Sequence, residues 1–271
     1  MKRKSEQAKK DVWAMDLIEV LILAIIQGIT EWLPISSSGH LVVVQEYFGL
    51  SPPVIFDVML HVGTLFVVLI AFWKDIVGIS KAVAKLDYKA EEGKLAVFIV
   101  VGNIPTALIG LVFHDVFESF FYNPLAVGIA LLGTGCILYV SKYGKNSKEM
   151  SYLDAFLIGV AQGIAIIPGV SRSGVTIAAG LLIRLRKETV FRFSFLLFIP
   201  AIIGAAVFES RDIVLTEDGG LTIGVGVIVS MIVGYLALRL LQKLLLRERF
   251  HLFAFYCWLL GTAIVAIAII R

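Results

Sequence analysis

Two short stretches gather this chain's reactive side chains: QGITEWLPISSSGH at 27–40 and QGIAIIPGVSRSGVT at 162–176. In the first, Gln27 and Glu31 stand four apart, so a helix presents them on one face. Pro34 ends that helix, Ser36, Ser37, Ser38 and Gly39 form a loop, and His40 follows. In the second, Pro168, Gly169, Ser171, Ser173, Gly174 and Thr176 surround a single Arg172. Small residues that open a helical run direct backbone N–H groups and hydroxyls at an anion, and the helix N-terminus adds its positive dipole end. Arg172 supplies a planar fork suited to phosphate oxygens. The set comprises a metal-capable carboxylate (Glu31), a nucleophile or proton relay (Ser37 with His40) and an oxyanion clamp (Arg172 with the loop amides). Gln27, Ser36, Gly169, Ser171, Ser173 and Thr176 are the candidate phosphate-binding positions. Such equipment suits phosphoryl transfer, where positioning and charge neutralisation supply most of the rate.

These polar stretches interrupt apolar ones. Of 271 residues, 59% are hydrophobic and 17% charged, with a mean hydropathy of +0.91. A soluble domain has about 45–50% apolar and about 25% charged residues, so an all-α polytopic membrane protein is expected. A break at membrane depth is stable only where it lines a cavity or is buried in protein. Paired, interrupted segments in the two halves of a chain point to a central site. Arg172 at such depth costs at least about 2.5–3.5 kcal/mol unless it meets an anion, either a ligand or Glu31.

Six runs approach the ~20 apolar residues that span a bilayer: 53–73, 95–113, 124–141, 188–208, 221–241 and 250–270. Regions 16–50 and 152–183 are each broken by one of the two motifs, and read as re-entrant hairpins. Loop charge supports this. Lys74, Lys81, Lys85, Lys89 and Lys94, then Lys142, Lys145 and Lys148, then Arg184, Arg186 and Lys187, then Arg239, Lys243, Arg247 and Arg249 fill every second connection. The alternate connections 51–53, 114–123 and 209–220 hold only Arg211. Positive-inside logic places the first set in the cytoplasm, provided that 152–183 starts and ends inside. The two halves, about 15–141 and 152–271, then form an inverted-topology repeat within one membrane domain. Residues 1–14 read as a polar extension lying outside, against the charge rule, and no cleavable signal peptide is evident.

Other reactive residues are placed more loosely. Asp57 and His61, four apart, read equally as cavity residues or as a helix-end pair. His114 with Asp115 reads as solvated and His251 as interfacial, while Trp73 and Tyr122 read as interfacial anchors. Cys136 and Cys257 are expected to be packed thiols, with no disulfide or zinc pattern.

At the level of motifs, Gln27–Glu31 with Pro34–His40, and Pro168–Thr176, resemble the (E/Q)-x-x-x-E, P-x-S-S-x-G-H and P-G-x-S-R-S-x-x-T segments of the undecaprenyl-pyrophosphate phosphatase (bacitracin-resistance, BacA-type) family. The resemblance runs over nearly the whole chain from Met15. It implies a membrane enzyme that removes the terminal phosphate of a polyprenyl pyrophosphate, regenerating the monophosphate carrier used for cell-wall glycans. It also implies a divalent cation (Mg²⁺ or Ca²⁺), six spans with two re-entrant hairpins, and a site open to the outer face. By position it makes Glu31, Ser37, His40, Ser171, Arg172 and Thr176 functional. Gln27 stands where many members have a second glutamate, which makes Glu31 the main carboxylate. The expected partners are the lipid substrate and membrane lipid, with no nucleic acid and a homodimer left open.

Two rivals are weighed at this point, and the sequence excludes the second. Inverted repeats with broken helices are also transporter architecture, so a polyprenyl-phosphate flippase is the alternative. Acid-phosphatase-like lipid phosphatases need a later His-x-x-x-Asp, and His251 is followed by Leu252, Phe253, Ala254 and Phe255.

Overall fold

The computed structural model describes residues 16–50, 54–144, 148–209 and 219–270. The expected extension 1–14 and most of the 209–220 connection therefore lie outside the described residues. Within them the chain is helical, and its one extended pairing is an isolated bridge between Lys148 and Leu185. The first half runs α1 (Leu17–Trp32), α2 (Ser37–Phe48), α3 (Val54–Ala71), α4 (Trp73–Ala84), α5 (Glu91–Val112), α6 (His114–Phe121) and α7 (Pro124–Val140). The second runs α8 (Tyr152–Ile164), α9 (Arg172–Leu182), α10 (Lys187–Glu209), α11 (Gly219–Leu246) and α12 (Phe253–Ile270).

Among the described residues five helices (α5, α7, α10, α11 and α12) are long and apolar enough to cross a bilayer, and α3 with α4 makes a sixth broken by a 77° bend. The expected spans fall on these elements. Two connections read as loops are helical instead. The lysine-rich stretch after α3 folds as α4, which rests on α5 while Lys74 and Lys81 stay exposed. The stretch 114–123 contains α6, whose Phe117 is buried. In both, apolar residues recur at helical spacing among the charges, so one face packs while the other stays wet.

The broken regions fold as hairpins with matching signals. Asp16 with Glu19 caps α1, and Ser151 with Asp154 caps α8, each as a reciprocal capping box that satisfies the first N–H groups. Ser36 and Ser171 then cap the returning helices α2 and α9, accepting from the amides of Gly39 and Gly174. Val20 of α1, Phe56 of α3 and Ile223 of α11 share one small core against which Leu50, just after α2, packs, so the first hairpin leaves at the end where it entered. Likewise Lys148, just before α8, bonds both Asp154 and the Arg184 carbonyl just after α9. Phe72 at the end of α3 packs on Phe191 at the start of α10, which puts the two hairpins' entrances at opposite ends of the bundle.

Each hairpin packs mainly on a helix from the other half: α1 lies along α11 and α8 along α5, while α7 and α12 pair together. Lipid is as apolar as leucine, so these contacts depend on close packing rather than on hydrophobicity. Gly159 of α8 meets Gly102 of α5 so closely that a Cβ there would lie 2.0 Å from the Gly102 oxygen. Thr106 Oγ1 then donates across the seam to the Gly159 carbonyl at 2.9 Å.

Of the two cysteines, Cys257 is buried as expected, whereas Cys136 is exposed; both are free thiols. Cys136 is exposed on α7 along with Ile129, Ile137 and Val140.

Candidate active site

The tips of the two hairpins meet. The Gly169 amide donates to Ser36 Oγ at 3.1 Å, joining the loops across 133 residues of sequence. Around that junction Glu31, only 7% exposed, collects four partners. Arg172 donates through one terminal nitrogen to Glu31 Oε1 at 2.7 Å. The other carboxylate oxygen, Oε2, accepts from Ser37 Oγ at 2.6 Å and from Gln27 Nε2 at 3.1 Å, and lies 3.3 Å from His61 Nε2.

Local chemistry explains each placement. The helical spacing of Gln27 and Glu31 puts both on the inner face of α1, as their spacing predicts. Ser37 and Arg172 are the first helical residues after the Ser36 and Ser171 caps, so both side chains issue from helix N-termini. The Arg172 guanidinium lies 3.9 Å from the Phe198 ring centre, with the Trp32 and Phe195 rings at 5.5 and 5.9 Å. These faces offset part of the cation's lost hydration. Its Nε and its remaining terminal nitrogen, both buried, have no hydrogen-bond partner among the described residues. Buried guanidinium donors left open are costly, and an anion's oxygens are what they lack.

His61 is the residue whose role sequence spacing left undecided. The structure places it on the carboxylate. Its Nδ1 donates to the Asp57 carbonyl at 2.7 Å, so its contact with Glu31 is attractive when Nε2 also carries a hydrogen. Gln45 Nε2 in turn donates to both Asp57 carboxylate oxygens, at 2.9 and 3.1 Å. Arg172 on one carboxylate oxygen balances the Glu31 charge, and a hydrogen on both nitrogens of His61 would leave the centre net positive and suited to a negatively charged guest.

Other candidates have different partners from those expected. Ser37 bonds Glu31 rather than His40. His40 Nδ1 instead lies 2.7 Å from the Ser36 carbonyl, and its Nε2 2.7 Å from the Tyr256 hydroxyl. Ser171 is spent on capping α9, and Ser173 lies within 3.4 Å of it. Thr176, fully buried, donates to the Arg172 carbonyl and bonds Ser194. These three build the loop that aims Arg172. Gly169 takes φ +95°, and a Cβ there would lie 2.4 Å from the Val127 oxygen, so only glycine fits. Thr134 of α7, which no sequence signal marks, accepts from the Ser171 amide and donates to the Gly169 carbonyl.

The residues that could hold a hard divalent cation, together with an anionic guest, are Glu31, Ser37 and Gln27, whose Oε1 is buried without a partner among the described residues. Both Glu31 oxygens already accept hydrogen bonds, so the carboxylate would have to exchange a donor for the ion. His114, Asp115 and Glu118 on α6 also cluster, but on the exposed surface and away from this centre.

Comparison with known proteins identifies the family. The family described as bacitracin resistance protein BacA matches residues 20–263. An undecaprenyl-diphosphatase of Halothermothrix orenii is 44% identical over 262 residues, covering 94% of this chain and 99% of that protein. Undecaprenyl-diphosphatases of Methanosphaera stadtmanae and Carboxydothermus hydrogenoformans are 38% and 41% identical, over 94% and 93% of this chain and 99% and 98% of their own lengths. The chain, a multi-pass membrane protein by its helices, belongs to the bacitracin resistance protein BacA family.

Proposed function

We propose that this chain hydrolyses undecaprenyl diphosphate to the monophosphate carrier lipid and phosphate. The observation that carries the reading is Arg172: it is anchored through one nitrogen to Glu31, and its other buried donors have no partner among the described residues. The terminal phosphate docks there, its oxygens completing the guanidinium fork.

Ser37 is the nucleophile in this mechanism. The Glu31 carboxylate takes the Ser37 proton along the 2.6 Å bond as Oγ attacks the terminal phosphorus. The bridging P–O bond breaks and the prenyl monophosphate leaves. A water then hydrolyses the phosphoserine and frees phosphate. Arg172 and His61 stabilise charge gathering on the phosphoryl oxygens. Glu31 and Gln27 would hold a Mg²⁺ or Ca²⁺ ion, which when bound neutralises part of the diphosphate's charge.

The two halves form an inverted repeat within one membrane domain. The opposite entrances of the hairpins and the exchange of packing between halves support this reading. With the lysine- and arginine-rich connections in the cytoplasm, the first hairpin enters from outside and the centre opens to the outer face.

The test is phosphate release by the purified protein from prenyl diphosphates of graded length, with and without chelator. Release that chelator abolishes is expected, with labelled phosphate trapped on Ser37. Headgroup translocation in liposomes without phosphate release would overturn the reading in favour of a flippase. Undiminished turnover by Ser37→Ala would assign the attack to water.

A further inference from the structure

We propose that Tyr256 is a positioning residue for the reaction, holding the strained Ser36 peptide through His40 and so aiming Ser37. The inference rests on the phosphatase reading above, with Ser37 at the reacting centre.

Ser36 has φ 68° and ψ 101°, on the left-handed side that residues with a Cβ avoid. Such a conformation costs about 1–3 kcal/mol and persists where neighbours over-determine it. Here they do so from several directions. The amides of Gly39 and Gly169 donate to its side chain, and the His40 backbone amide and ring Nδ1 both reach its carbonyl. The ring bond requires the hydrogen to sit on Nδ1. The Ser36 carbonyl can only accept, so the neutral imidazole carries its hydrogen on Nδ1, and Nε2 accepts from the Tyr256 hydroxyl 2.7 Å away. The two rings are parallel within 9°, with centroids 5.7 Å apart, so the geometry is fixed by packing as well.

The surroundings make the tyrosine decisive. His40 and Tyr256 line a cavity of about 580 Å³ whose other walls include Ile26, Leu33, Leu244 and Phe253. Arg249 is the one further ionisable lining residue. Apart from Arg249 and Thr30, whose hydroxyl donates to the Ile26 carbonyl, the described walls around the imidazole are apolar. The next residue of α12, Cys257, donates to the Pro34 carbonyl at 3.5 Å, so one helical turn grips the loop on both sides of Ile35. Ser37 follows Ser36 directly, and any rotation of the Ser36 peptide swings its Oγ away from Glu31. His40 thus has a place in the reaction without touching the reacting atoms.

The experiment is steady-state hydrolysis of a short-chain prenyl diphosphate by detergent-purified variants. A tyrosine-to-phenylalanine change removes one hydroxyl, so Tyr256→Phe should lower kcat about tenfold and leave KM within about twofold. His40→Asn keeps a donor near the Nδ1 position and should retain most activity, whereas His40→Ala should lose about a hundredfold. Adding Tyr256→Phe to His40→Asn should cost nothing further, because the hydroxyl acts only through the imidazole. The proposal is overturned if Tyr256→Phe has unchanged kcat, or if His40→Asn is as inactive as His40→Ala, which would make the imidazole a chemical participant. Melting temperatures of the same samples separate lost folding from lost positioning, and unfolding of Tyr256→Phe alone would also overturn it. If the unaltered protein releases no phosphate, the phosphatase reading fails instead.

Discussion

The two loops count the same residues from glutamine to glycine, Gln27 to Gly39 and Gln162 to Gly174, yet they distribute their polar groups differently. Aligned on that length, Ser36 matches Ser171, and both cap the returning helix through the amide three residues on. Ser37 then matches Arg172, and these two equivalent positions reach the same carboxylate from opposite sides, at 2.6 and 2.7 Å. Glu31 itself has only Ile166 as its counterpart, so the carboxylate is present once, at the junction. In the second loop Ser171, Ser173 and Thr176 are consumed in building the loop, and Arg172 alone reaches the carboxylate. The first loop also has its proline one residue nearer the cap, and it makes its left-handed turn at Ser36, where the second uses Gly169. One loop is therefore a relaxed mount for a cation, and the other a strained mount for a carboxylate and a hydroxyl.

Breaking the shared carboxylate should do the most damage. Glu31→Gln removes the base and half of a buried ion pair, and phosphate release should fall at least about 10³-fold. Leaving a buried charge unpaired costs about 3–5 kcal/mol, so the melting temperature should drop as well. Removing both partners, in Glu31→Ala with Arg172→Ala, should restore much of the thermal stability and none of the activity. If the double variant melts no higher than Glu31→Ala alone, the pair is not what joins the loops.

Next in size is the cation. Arg172→Lys keeps the charge over the Phe198 ring but replaces a planar fork by a single ammonium. An ammonium that stays on Glu31 has no planar second edge for a phosphate. Turnover should fall about 10²-fold with little change in melting temperature, measured by phosphate release and thermal denaturation in detergent. Full activity in this variant would mean that the open guanidinium donors do not meet the substrate.

The relaxed loop can be loosened from behind. Thr134→Val orphans the Gly169 carbonyl and the Ser171 amide, a loss of about 1–3 kcal/mol in stability. Because those groups shape the loop below Arg172, kcat should also fall severalfold. The matching change in the strained loop, Tyr256→Phe, should cost less stability and more rate. Equal ratios of stability to rate loss in the two variants would erase the distinction between the mounts.

Much of this was written in local pattern. Proline and glycine breaks in apolar runs located both hairpins, and the four-residue spacing of Gln27 and Glu31 put them on one face. Partners from distant helices were not legible. His61 reaches Glu31 because α3 packs against α11 beside α1, and nothing in its spacing from Asp57 says so. Phe198, Thr134 and Tyr256 are, in sequence, ordinary residues of apolar helices. His40 was misdirected for the opposite reason. Its nearness to Ser37 in sequence suggested a relay, but one helical turn carries its ring to the other side of the loop, toward α12.

The finest test of the comparison is a residue that keeps its place in both copies. Gln27 and Gln162 are equivalent, and each leaves its side-chain oxygen buried without a partner. Gln162 Nε2 donates to Thr106, within the seam between α8 and α5, whereas Gln27 Nε2 donates to Glu31. A carboxylate at position 27 would adjoin a second one, and two such groups repel unless a cation or the neighbouring Arg172 and His61 offset them. More ligand charge tightens a calcium or magnesium site. Gln27→Glu should therefore lower the cation concentration for half-maximal phosphate release about tenfold, while kcat at saturating cation changes less than about threefold. Gln162→Glu, placed in the seam beside Thr106, should leave the cation titration unchanged and lower the melting temperature. An unchanged titration for Gln27→Glu would show that the cation is held elsewhere than at this carboxylate.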